Sequence, residues 1–273
     1  MTTPPSRSAL ARLFDADPEP RVELAALAIA DEGRSPRDPA TAITTLDALG
    51  AELRAATTPD APVDAQAAAI AAVIYDRAGF RGNEADYQDP LNSDLHAVLT
   101  RRTGIPITLA VVLIAVGRRA GLAVEGVSFP GHFLVRLGGS RGRYLDPFRR
   151  ADVMDLPALQ VLLRQVAGPD ATLRPEHLAP VGARAIAARM LVNLKNTWER
   201  RRDHARALLL CDRLVELTDA PEFVRDRGQH ALALGAHAAA RADLTRYLDA
   251  RPDAPDAEGV RRTLASLRPA RWN

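Results

Sequence analysis

Two residues of this chain have the types and the spacing for proton transfer. His132 heads an apolar run in "SFPGHFLVRL" (128–137), and Asp146 stands in "RYLDPF" (143–148) between an aliphatic residue and a proline. A carboxylate that holds an imidazole fixes its tautomer and raises its basicity, which is what a general base needs. A hairpin would bring these two together. Alternation predicts short strands over roughly 123–129, 132–137 and 143–146, with "GGSRG" (138–142) as the hairpin loop. Closing that loop pairs residues whose numbers sum to about 279 or 280. His132 then falls opposite residue 147 or 148, and Asp146 is its diagonal neighbour, within reach of the ring. A core histidine satisfied by a carboxylate reads the same way, so the pair alone does not announce catalysis.

A mostly helical frame must position the hairpin. The residue pattern predicts a Pro-rich, flexible leader over 1–19 and Ala-rich helices over 20–32, 39–57 and 62–78. A polar link, "RGNEADYQDP" (81–90), leads to a short helix in "NSDLHAVLTRR" with Asn92 or Ser93 as its N-cap. Pro106 suits the first turn of the next helix, where its missing N–H would be unpaired anyway. From Ile107 to Val116 that helix is apolar on every side except at Thr108, which marks it as buried. A helix over 155–166 completes an α+β domain spanning 20–167, and the Pro-rich 168–180 reads as a linker.

Beyond the linker, 181–273 reads as entirely helical and repetitive. "RDHARALLLCDRLVELTD" (202–219) aligns with "GAHAAARADLTRYLDARP" (235–252) at a period of 33 residues, placing Ala207 on Ala240 and Leu214 on Tyr247. That is the signature of a tetratricopeptide-type helix pair, with a small residue where two helices approach closely. The predicted helices are 184–201, 203–218, 221–234 and 237–250, with 255–267 as a cap.

Composition narrows the function classes. The chain has 273 residues, 47% of them hydrophobic and 26% charged, enough for two folded domains. The net charge is +2 and no basic stripe is present, so nucleic-acid binding is not expected. The longest uncharged apolar run, 105–117, is too short to span a bilayer, and the first twenty residues contain no apolar signal segment. The single cysteine, Cys211, allows no internal disulfide, so a cytoplasmic location is expected. Its setting in "ALLLCDRL" is apolar, which leaves a thiol inert. The six histidines are scattered, and His230 and His237 lack helical ligand spacing, so neither metal nor cofactor is expected.

The string "GIPITLAVVLIAVGRRAGLAVEGVSFPGHFLVRL…RYLDPF", preceded by "NSDLHAVLTRR", resembles the transglutaminase-like domain of the SirB-type bacterial proteins, which carry tetratricopeptide repeats behind it. The resemblance covers about residues 20–165, with the repeats in the remainder. It implies a papain-like arrangement in which cysteine, histidine and aspartate form a triad, and a regulatory role in bacteria. The histidine falls on His132 and the aspartate on Asp146. Gly104, Ala110 and Gly121 occupy the marks around the nucleophile, and the position between them is Pro106. Proline has no proton to lose. The expectation is therefore a non-catalytic scaffold with a vestigial His132–Asp146 pair, binding a protein or peptide on the repeat surface and able to form a homodimer. Its cleft between domains would be lined by Asn92, Pro130, His132 and Arg136. The rival is a hydrolase or acyl-transfer enzyme with His132 as base, Asp146 as its orienter, and a relocated nucleophile or an activated water.

Overall fold

The structure is a computed structural model and describes residues 7–267. Its contacts divide into two compact units, residues 13–190 and residues 191–267 together with 7–12. In chain order the helices up to the first unit's centre are α1 (Ala9–Ala16), α2 (Val22–Ala30), α3 (Ala40–Ala56), α4 (Val63–Ile70) and α5 (Leu95–Arg101). α4 runs on as a π-helical segment over Ala71–Arg77. Two short parallel strands, β1 (Arg81–Gly82) and β2 (Thr103–Gly104), bracket α5.

α6 (Pro106–Arg119) is the centre of the first unit. Residues 106–117 are all buried, as an all-apolar helix demands. It packs on α2 and α3 and on the sheet strands β3 (Val124–Val127) and β4 (Leu134–Leu137). The sheet is completed by β5 (Arg143–Asp146), β6 (Asp152–Met154) and β7 (Pro180–Val181), in the order β6-β5-β4-β3-β7 and antiparallel throughout. Its β4–β5 register pairs Val135 with Leu145, Arg136 with Tyr144 and Leu137 with Arg143, each sum being 280 as the loop length required. α7 (Leu156–Ala167) packs Leu159 and Leu163 against Val127, Phe129 and Leu134.

Four expectations are corrected. The leader over 1–19 is not free chain from residue 9 onward: α1 forms there with its Leu10 and Phe14 side chains buried, and Glu19 Oε2 accepts from Ala183 N at 2.9 Å. Proline content obscured an amphipathic turn there; residues 1–6 lie outside the described residues. The cap of α5 is Asp94, whose Oδ1 accepts from Ala97 N, rather than Asn92 or Ser93. His132 precedes its strand and sits in a turn. Finally, 168–180 is no linker. Gln160 holds Ala171 O and Leu173 N, Leu178 packs on the Phe129 cluster, and β7 pairs with β3, so the units divide at 190/191 inside α8 (Ala183–Arg200).

The second unit continues with α9 (His204–Leu217), α10 (Pro221–Ala233), α11 (His237–Ala250) and α12 (Ala257–Ser266). Ala207 and Ala240 are both fully buried, and so are Leu214 and Tyr247, so the residues matched by the 33-residue period share their environments. Among the described residues no helix is long and apolar enough to cross a membrane.

Candidate functional site

Asp146 ends β5 and caps the 3-10 turn Pro147–Arg149, its Oδ1 accepting from Phe148 N at 2.9 Å. The same oxygen lies 2.9 Å from His132 Nε2. The carboxylate is deep, with 3% of its side chain exposed, and the imidazole is shallower at 15%. Behind them Tyr75 Oη donates to Pro147 O at 2.6 Å. Burial, reinforced by the charges of Asp146 and Asp152, pushes the Tyr75 phenol well above its ordinary range, so it stays a donor.

The turn that carries His132 is shaped by Gly131, whose φ is +66°. A Cβ at that position would come within 2.4 Å of Val166, so α7 lies directly on the turn. His132 N donates back to Phe129 O at 3.1 Å. With Nε2 given to Asp146, Nδ1 is the ring nitrogen left for a ligand.

His132, Asp146 and Pro106 line one pocket of about 590 Å³. α7 supplies one wall through Ala158, Val161, Leu162 and Gln165, spaced as one helix face and apolar except for the Gln165 amide, with Met154 beside them. Glu84, Tyr87, Phe148 and Arg149 complete the lining with Gly131. Among these thirteen residues there is no serine, threonine or cysteine; the one hydroxyl is the Tyr87 phenol. Thr108 is engaged elsewhere, its Oγ1 donating to Asn92 O at 2.7 Å and accepting from Ile105 N at 3.2 Å. Ser93 and Thr103 are buried and do not contribute to the lining. Cys211 is fully buried in the other unit, and burial pushes its thiol up to about 12. Among the described residues no three His, Cys, Asp or Glu side chains come together as metal ligands.

The family model "Transglutaminase-like superfamily" matches residues 40–192, more than half of the chain and the whole of this site. The chain belongs to the transglutaminase-like superfamily. A tetratricopeptide-repeat model matches residues 194–265, the second unit. A UPF0162 protein of Xylella fastidiosa (strain 9a5c) is 40% identical over 205 residues, 73% of either chain. Protein SirB1 of Salmonella typhimurium is 25% identical over 207 residues, 75% of this chain and 77% of that one. F-box only protein 21 of Mus musculus is 48% identical over a shorter stretch of 81 residues, 29% of this chain and 13% of that protein. The chain is thus similar to SirB-type proteins in both its transglutaminase-like unit and its repeats.

Within the transglutaminase-like unit, three residues expected to line the cleft stand outside this pocket. Asn92 is fully buried: its Nδ2 donates to Asp86 O at 2.8 Å, and its Oδ1 accepts from Asn83 Nδ2 at 2.9 Å. It fixes the pocket wall that carries Glu84 and Tyr87 instead of meeting a ligand. Arg136 points its guanidinium at Glu125 across the β3–β4 pair, at 2.7 Å. Pro130 is half-buried beside Gly131 but adds nothing to the lining. The α7 wall was missed, although residues 158, 161, 162 and 165 carry the helical spacing that could have revealed it.

Proposed function

We propose that this transglutaminase-like unit is a binding module rather than a catalyst, and that the whole chain acts as a regulatory scaffold recognising a protein or peptide. One observation carries the reading: Pro106 occupies the pocket wall shared by His132 and Asp146, and no serine, threonine or cysteine lines that pocket. The cysteine-type covalent catalysis of the superfamily needs a thiol, or a hydroxyl in its place, at that position. A pyrrolidine ring offers neither. What remains is an imidazole with one open nitrogen beside an apolar wall, a combination suited to holding a group without cutting it. The repeats support the same reading, since tetratricopeptide repeats generally mediate protein–protein interaction. The single buried cysteine favours a cytoplasmic setting.

The retained hydrogen bond between His132 and Asp146 favours a second reading. In it, water held at Nδ1 is activated by His132 as general base. The two readings separate by turnover. The intact chain, His132→Ala and Asp146→Asn are assayed side by side on peptide anilides and aryl esters. The binding reading expects identical, background rates from all three. A rate above background that vanishes in both variants overturns it.

A further inference from the structure

The His132 pocket continues past Arg149. Glu84, Phe148 and Arg149 line both this pocket and a second one of about 1010 Å³. The second pocket is different in character. Four arginines line it, Arg81, Arg101, Arg149 and Arg150, against two carboxylates, Glu84 and Asp152. Arg101 is paired with Asp89 and Arg150 with Asp76. The guanidinium groups of Arg81 and Arg149 have no hydrogen-bond or salt-bridge partner among the described residues.

These two guanidinium groups belong to segments that are locked together. Arg81 N donates to Arg102 O at 2.9 Å within the β1–β2 pair. Arg149 lies in the 3-10 turn that Asp146 caps. Between them, a Cβ on Gly82 would come within 2.6 Å of the Phe148 ring, so the ring sits against bare β1 backbone and holds turn and strand in contact. Both guanidinium groups line the same pocket, where arginines outnumber carboxylates four to two, so an incoming carboxylate can pair with them. On the other side of Phe148 the wall is apolar and open, with Val161 55% exposed.

We propose that this continuous surface takes an acidic peptide segment of a partner protein, seating an apolar side chain on Val161 and Leu162 beside His132 and a carboxylate on Arg81 and Arg149. The proposal deepens the binding reading and rests on it. A peptide fits better than a nucleic acid or an anionic lipid surface, because Glu84 and Asp152 interrupt the basic lining and would repel a ligand charged all along its length. Peptide N–H groups can donate to those carboxylates instead.

The test is selection of random twelve-residue displayed peptides on the intact chain. Affinities of the enriched peptides are then measured on the parent, Arg81→Glu, Arg149→Glu and Val161→Asp, each first checked for an unchanged melting temperature. All three side chains are exposed, so folding should survive. Enriched peptides should carry an acidic residue near an apolar one. Each charge reversal should weaken them at least about tenfold, Val161→Asp should do the same, and binding should weaken as salt rises. Enriched peptides without acidic residues, or indifferent to both reversals, overturn this site and leave the binding reading standing. Arg149-dependent binding to phosphatidylglycerol vesicles or single-stranded DNA, with no peptide enriched, overturns it in favour of a polyanion. Turnover that depends on His132 is the separate outcome that removes the binding reading itself.

Discussion

Thr108 Oγ1 and Asn92 O are joined by a 2.7 Å hydrogen bond, which ties the wall of the His132 pocket to the helix that begins with Pro106. Asn92 fastens the wall from the other end, its amide donating to Asp86 O and accepting from Asn83. Both residues are fully buried. Thr108→Val should therefore strand two buried backbone groups, Ile105 N and Asn92 O, at a cost of about 1–3 kcal/mol. Urea denaturation gives the cost. Hydrogen exchange should quicken over residues 83–92 before it does in the sheet. A neutral substitution would mean that the wall is held by other contacts.

His132 and Asp146 differ in what they support. Asp146 Oδ1 serves both the imidazole and Phe148 N, whereas the His132 ring makes one hydrogen bond and is partly exposed. Asp146→Ala should then cost more stability than His132→Ala, with about 1–3 kcal/mol for the aspartate and about 1 kcal/mol or less for the histidine. Comparing their denaturation midpoints decides it. The reverse order would show the ring, not the turn cap, to be the structural part of the pair.

The lost nucleophile can be put back as a test of the geometry. Pro106→Cys places a thiol at the first position of α6, in the pocket that holds His132. A helix start beside an imidazole lowers a thiol's pKa, so the variant should react with iodoacetamide about tenfold or more faster than an ordinary thiol at neutral pH. In the folded parent the sole thiol, Cys211, is buried with its pKa pushed up to about 12 and should scarcely react. Adding His132→Ala to Pro106→Cys should slow the alkylation. If it does not, residue 106 does not face the imidazole.

Much of this architecture was legible because its signals are local and periodic. α6 is apolar on all sides, and a helix of that kind has only one place to go. The five-residue loop fixed the β4–β5 register, and with it the meeting of His132 and Asp146. What escaped depends on tertiary capture. Residues 171–181 look like linker until Gln160 and β3 are there to bind them. Asn92 reads as a cap or a cleft residue because nothing in its neighbours reveals the polar contacts that hold it in the interior. The basic groove draws on β1 and on the turn after β5, segments more than sixty residues apart, which no linear window joins.

The second unit should respond to pH through two histidines. His204 and His230 bring their Nδ1 atoms to 3.2 Å, and His230 Nε2 lies 3.0 Å from Glu199 Oε1. That arrangement is satisfied by two neutral rings, with one Nδ1–H donated to the other nitrogen. A further proton on His230 puts an N–H on its Nδ1 and obliges His204 to give up its own Nδ1–H, so the present arrangement is lost. Burial, helped by the charges of Lys195 and His204 and opposed by Glu199, lowers the His230 pKa below its ordinary 6.5. The unfolded chain therefore binds the proton first. Well above pH 6.5 neither state is protonated at this ring and its contribution is flat. As pH falls below that value the unfolded state gains protons that the folded state resists, so stability declines until the lowered pKa is passed. His96 in the other unit is shifted the same way, by burial and by Arg37, and adds a decline of the same sign. His230→Gln should remove its own share of the loss between pH 7 and 5.5 and leave that of His96. Urea midpoints across this range measure both shares. Stability that rises on acidification through this range would falsify the neutral-pair arrangement.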